Sequence, residues 1–184
     1  MKQNAAPYLE LHIFNGKRLD EGFIDAFELS EPEVVELNQK LEEASRRLDE
    51  LSIQAASFQI GPGGTQLIVH VPSFPSEGGA VHDELLQAFA EVLGPEKYKE
   101  FSEISGDSVE SAFGSFGLAD TTYTMNLVPT RDGNGGNIYA IRETSSLPLG
   151  ATSEFDSPLP AVSIPEAFPV LSHFIPSNSI QPKG

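Results

Sequence analysis

Cysteine is absent, which removes disulfides, thiolate nucleophiles and cysteine-ligated zinc or iron–sulfur centres. Basic residues are scarce: 11 Lys and Arg stand against 27 Asp and Glu, a formal charge of −16 that repels phosphate backbones and anionic headgroups. The few cations are interleaved with acids, as Arg46 and Arg47 are with Glu42, Glu43, Asp49 and Glu50, so no basic patch argues for nucleic acid. Long apolar runs are missing too. No stretch approaches the ~18 residues of a membrane helix, and Met1 to Tyr8 lacks the apolar core of a secretory signal. No membrane insertion is expected. The localisation leans to an extracytoplasmic setting with the leader already removed, and the cytoplasm stays open.

What is present is enough for a folded body. The chain has 184 residues, 39% of them apolar, and that suffices to bury a core. Residues 1–146 read as a single α+β domain, and 147–184 as a segment of different texture. "YLELHIF", Tyr8 to Phe14, alternates like a strand before "NGK" turns the chain, and "FIDAFEL", Phe23 to Leu29, reads as a weaker strand or extended segment. Ser30 followed by Glu33 is a capping-box arrangement with Pro32 tolerated in the first turn. Val34, Leu37, Leu41, Ala44, Leu48 and Leu51 then form an apolar stripe at helical spacing, backed by i,i+4 acid–base pairs such as Glu42 and Arg46. The stripe keeps heptad spacing for fewer than three heptads, so a helix lying on its own sheet is favoured over a coiled coil.

"SIQAASFQI" and "TQLIVHVPSF" are two strands around "GPGG", a hairpin. A second helix carries Val81, Leu85, Phe89 and Val92 on one face, stops and restarts at Gly94-Pro95, and continues through Tyr98, Phe101 and Ile104. Asp107 with Glu110 opens a short helix, and a second hairpin runs through Asp120–Thr130 and Asn137–Ser146. The αββ-αββ order implies an antiparallel sheet of four to five strands, in two hairpins, with helices on one face. From Leu147 onward seven of the 14 prolines fall within 38 residues, so regular structure should be scarce. Phe168, Val170, Leu171, Phe174 and Ile175 are nevertheless too apolar for a solvated linker. This extended, Pro-rich segment should wrap its own domain or dock on a partner.

Candidate chemistry is thin. "VPTRDGNGGNIYAI" places oxygen ligands at Asp132, Asn134 and Asn137, a metal candidate, but an EF-hand loop would need a ligand where Gly136 stands and a glycine where Asn137 stands. Asp-Gly and Asn-Gly are what a hairpin loop demands, which explains the same residues. "SGDSVESAFG" resembles the serine block of GDSL-type hydrolases through Gly106, Asp107, Ser108 and Val109. Here it follows a helix, not an apolar strand, and no Asp-x-x-His precedes the carboxyl end. Leu29, Ser30 and Glu33 resemble the helix starts of small periplasmic stress proteins over that one stretch only, so no activity is transferred. "GSFG" at Gly114 misses the nucleophile elbow around Ser115. His12, His70, His82 and His173 are scattered with no metal-binding spacing, and the glycine clusters lack phosphate-loop patterns, so no cofactor is expected. The composite expectation is a non-catalytic acidic domain acting through protein contacts or self-association, in a bacterial extracytoplasmic assembly. The alternatives are a hydrolase or metal-dependent enzyme drawing on His70, His82 and nearby acids, and a small-molecule binding module.

Overall fold

The Asn15-Gly16-Lys17 turn works because Gly16 adopts φ 63°, letting Phe14–Asn15 (β1) pair antiparallel with Arg18–Leu19 (β2). The computed structural model describes residues 12–105, 108–131, 137–148 and 150–175, so Tyr8 to Leu11 of the expected first strand lie outside it. The next segment corrects the sequence expectation. Glu21–Ala26 (α1) is a helix where a strand was expected, because the Asp20 carboxylate caps the Gly22 N–H at 2.8 Å and Phe23 and Phe27, four apart, share one buried face.

Glu31–Ala55 (α2) begins at the expected cap. The Glu33 carboxylate accepts from the Ser30 hydroxyl at 2.5 Å and from the Ser30 backbone N–H at 2.7 Å, bonds that hold its pKa below the usual carboxylate value. The stripe is real: Leu37, Leu41, Ala44 and Leu48 are buried, while Val34 and Leu51 are half-buried. Strand Ser57–Ile60 (β3) then pairs with Gln66–Val71 (β4) across Pro62, Gly63 and Gly64, the two glycines at φ 77° and 70°. Pro75–Ser105 (α3) breaks at Gly94, whose φ 69° and ψ 172° no helix contains, and Pro95 restarts it as the sequence implied. Ser108–Ala112 (α4) follows.

Gly114 to Gly117 form a left-handed turn, with φ 58°, 53°, 48° and 74° in succession. Two of these residues, Ser115 and Phe116, carry side chains in a region that costs L-residues roughly 1–2 kcal/mol each. Burial offsets that cost: Phe116 is buried and its ring meets His82 edge-on at 4.8 Å. Gly78 of α3 makes room. A Cβ there would lie 1.7 Å from the Phe116 carbonyl oxygen, so only glycine fits beneath the turn.

The remaining chain builds sheet: Asp120–Asn126 (β5), Thr130–Arg131 (β6), Asn137–Ser146 (β7) and Thr152–Pro160 (β8), followed by the short helices Ile164–Ala167 (α5) and Pro169–Phe174 (α6). Scarce regular structure after Leu147 is therefore corrected. The segment is extended, as its prolines suggested, yet β8 makes nine register pairs with β7, from Ser146↔Thr152 to Ile138↔Pro160. Proline is compatible with this because an edge strand leaves alternate N–H groups outside the ladder.

The chain divides into two compact units, residues 1–45 with 83–113 and residues 46–82 with 114–184, the divisions falling inside α2 and α3. In the first unit phenylalanines link up. Phe27 stacks on Phe23 at 4.4 Å, Phe23 meets Phe101 edge-on, Phe101 stacks on Phe89 at 4.7 Å, and Phe14 stands edge-on to both Phe89 and Phe113.

The second unit holds a wholly antiparallel sheet ordered β3, β4, β5, β7, β8, with β6 beside β5 on the same flank of β7. One face supplies Leu67, Val69, Val71, Met125, Tyr139 and Ile141 to a core closed by Ile164, Phe168, Val170 and Leu171 from the C-terminal segment. Mixed helix and antiparallel sheet is the α+β class expected. Each fully buried Leu, Ile or Val side chain there contributes roughly 1.5–3 kcal/mol of burial. Burial also pushes the Tyr123 phenol, whose ring abuts Phe168, well above its ordinary range, with Glu143 and Asp49 adding to the shift.

Candidate interaction edges and the polar sheet face

The two outer strands of the second unit differ in how they meet solvent. Along β8, Glu154 and Asp156 carry charge and Pro158 and Pro160 remove donors, the devices that stop a sheet from pairing onward. In β3 no such guard appears: Ser57, Phe58, Gln59 and Ile60 are all exposed, with neither charge nor proline among them. No charged residue occurs between Ser52 and Gln66 at all. Phe58 pairs with Val69 and Ile60 with Leu67, so both point to the helix-covered face, yet they remain 58% and 45% exposed. The Phe58 ring lies 5.3 Å from that of Phe174, making one apolar rim.

The opposite face of the sheet is polar. Thr122, Thr124 and Thr144 stand beside Arg142, which reaches Asp156 through Nε at 2.8 Å and Nη2 at 3.2 Å, and Glu154 through Nη1 at 3.1 Å. The guanidinium holds Asp156 below its usual pKa and is itself raised by the same bonds. At the next register His70 Nδ1 sits 3.4 Å from Thr122 Oγ1 and its Nε2 3.5 Å from Asp120 Oδ1. Hydroxyl, imidazole and carboxylate thus meet, but beyond the ~2.6–3.2 Å that proton transfer requires. Both His70 and Asp120 are about half exposed (49% and 52%), so water is not excluded. The arrangement ties β4 to β5 and has no wall around it.

Among the sequence-selected residues, Asp132 and Asn134 lie outside the described part. Asn137 opens β7 and pairs with Arg131 of β6, so strands flank this loop. Phe168, Val170 and Leu171 are in the core of the second unit, with Phe174 and Ile175 packed against it. Of the hydrolase-like block, Gly106 and Asp107 lie outside the described residues. Ser108, Ser111 and His12 line an open depression of ≈ 460 Å³ with Ile13, Phe14, Gly16 and Ala112 in the first unit. Among the described residues no three His, Asp or Glu side chains converge where a metal ion could sit, and no helix is long and apolar enough to cross a membrane. Sequence reasoning passed over Phe58 and Ile60. The signal was available as an uncharged run with alternating apolar residues, but a strand does not announce that it lies at an edge. No family model, curated protein or solved structure gives a match to this chain.

Proposed function

We propose that this chain is a non-catalytic acidic domain that works through protein contacts, by accepting an added strand along β3. The observation that carries this is the unguarded β3 edge with Phe58 and Ile60 exposed, whereas the opposite margin, β8, is charged and carries prolines. Strand addition satisfies the open N–H and C=O row of β3, and the incoming strand's alternate side chains cover the rim of Phe58, Ile60 and Phe174. Site-specific photo-cross-linking in the native source tests it. A photoreactive residue replacing Phe58 should give protein adducts that the same residue replacing Phe155 does not. Equal adducts at both edges, or none, would refute it.

A hydrolytic reading draws on His70, Asp120 and Thr122, and on the depression holding His12, Ser108 and Ser111. An esterase and phosphatase screen in which turnover disappears with His70→Ala or Ser108→Ala would establish it instead. Thermal stabilisation by a small-molecule library, lost on Phe14→Ala, would point to a binding module.

A further inference from the structure

We infer that the occupant of the β3 edge is β3 of a second copy, joined about a twofold axis normal to the sheet; this rests on the protein-contact reading above. A twofold normal to the sheet keeps the helix-covered face on the same side in both copies, so paired residues must share a face. In β3 the helix-side residues are Phe58 and Ile60 and the residue between them is Gln59. The register that satisfies this sets Phe58 against Ile60 of the copy, twice, with Gln59 opposite its own counterpart. Each aromatic side chain then gains a β-branched cross-strand neighbour, and the rim extends across the axis to the copy's Phe174.

Charge selects this edge over the other. A chain of formal charge −16 resists a second copy wherever acids would be juxtaposed, and pairing through β8 would bring Glu154 and Asp156 against their counterparts. Pairing through β3 brings together two strands with no charged residue between Ser52 and Gln66. The contact is short, four residues a side, far below the area of a permanent dimer. The association is therefore weak, with a dissociation constant on the order of 0.1 mM. Long-range repulsion remains, so salt strengthens the dimer, whereas a cationic partner's binding would be weakened by salt.

Sedimentation equilibrium of the full chain, at ~0.01 M and ~0.3 M salt, reads the first consequence. The weight-average mass should climb from 19.8 kDa towards twice that value with concentration, more steeply at the higher salt, and Phe58→Lys should abolish the rise while Phe155→Lys leaves it. The absence of native cysteine supplies a second, independent measurement. In Gln59→Cys the two thiols face each other across the axis at strand-pair distance, and a mild oxidant should link them at least tenfold faster than in Phe155→Cys. A chain that stays at 19.8 kDa throughout, with equal linking rates at 59 and 155, overturns the second copy as occupant. If photo-adducts with other proteins form at position 58 in that case, strand addition survives with a different partner; if none form, both fall.

Discussion

Gly78 and Gly79 are neighbours in the same helix, and replacing each with alanine should move stability in opposite directions. Both substitutions remove backbone freedom from the unfolded chain and add helix propensity, together worth about 0.4–1 kcal/mol in favour of folding. For Gly79→Ala that is the whole effect, because nothing lies within 4 Å of the added Cβ. For Gly78→Ala the Cβ would arrive 1.7 Å from the Phe116 oxygen and 2.6 Å from its carbonyl carbon. Ordinary contact needs about 3.5 Å, so the turn must retreat by nearly 2 Å. It has little room to do so: Phe116 is already left-handed at φ 48°, and Gly117 O accepts the Phe74 N–H at 2.8 Å. Overpacking of this kind costs about 1–3 kcal/mol or more, which exceeds the propensity gain. Urea unfolding followed by far-ultraviolet circular dichroism checks both variants. With m near 1–3 kcal/mol/M, Gly79→Ala should raise the midpoint by a few tenths of a molar, and Gly78→Ala should lower it by about 0.5 M or more. Equal midpoints for the two variants would refute the close approach of helix and turn.

Leu171→Ala, at a site of 0% exposure among sheet residues, should cost about 2–5 kcal/mol by the same assay. Deleting 147–175 should abolish cooperative unfolding of the second unit and expose dye-binding apolar surface, because β8 and the residues that close the core leave together. Glu33 has a lowered folded pKa, so its contribution is present above the ordinary carboxylate range and is lost as pH falls through the folded value; Glu33→Gln should flatten the acid side of a plot of midpoint against pH. Tyr123 is raised, so its contribution holds below the unfolded pKa of about 10 and declines as pH climbs beyond it; Tyr123→Phe should remove that share of the alkaline loss, read by thermal melts between about pH 9 and 11.

Local rules wrote the parts of the fold that were legible. The Ser30–Glu33 cap, the Leu37 to Leu48 stripe, the turn at Gly61 to Gly64 and the break at Gly94-Pro95 depend on residues within a turn of one another, and all are where the sequence put them. Phe23 to Ala26 misled because a six-residue helix with one phenylalanine inside it and a second at its C-cap offers too short a period to separate from alternation. Beyond Leu147 the prolines pointed to a lack of regular structure, yet an edge strand tolerates Pro158 and Pro160 once β7 is there to pair with. The left-handed turn is signalled locally only by Gly114 and Gly117; the room that Ser115 and Phe116 need beneath it comes from Gly78, a residue distant in sequence. For β3, the neutral alternation of Phe58 and Ile60 was written in the chain, whereas its position at the sheet's margin is a property of topology.

Closure of the second unit's core by Leu171 has a bearing on synthesis. Its sheet members are made between Leu67 and Ile141, so a nascent chain carries that apolar face uncovered until Ile164, Phe168, Val170 and Leu171 have followed. For the first part of that interval, until Pro160 is made, β7 also lacks its nine-residue partner and shows the growing cell a second open margin. The core of this unit is therefore least covered while the chain is still being made.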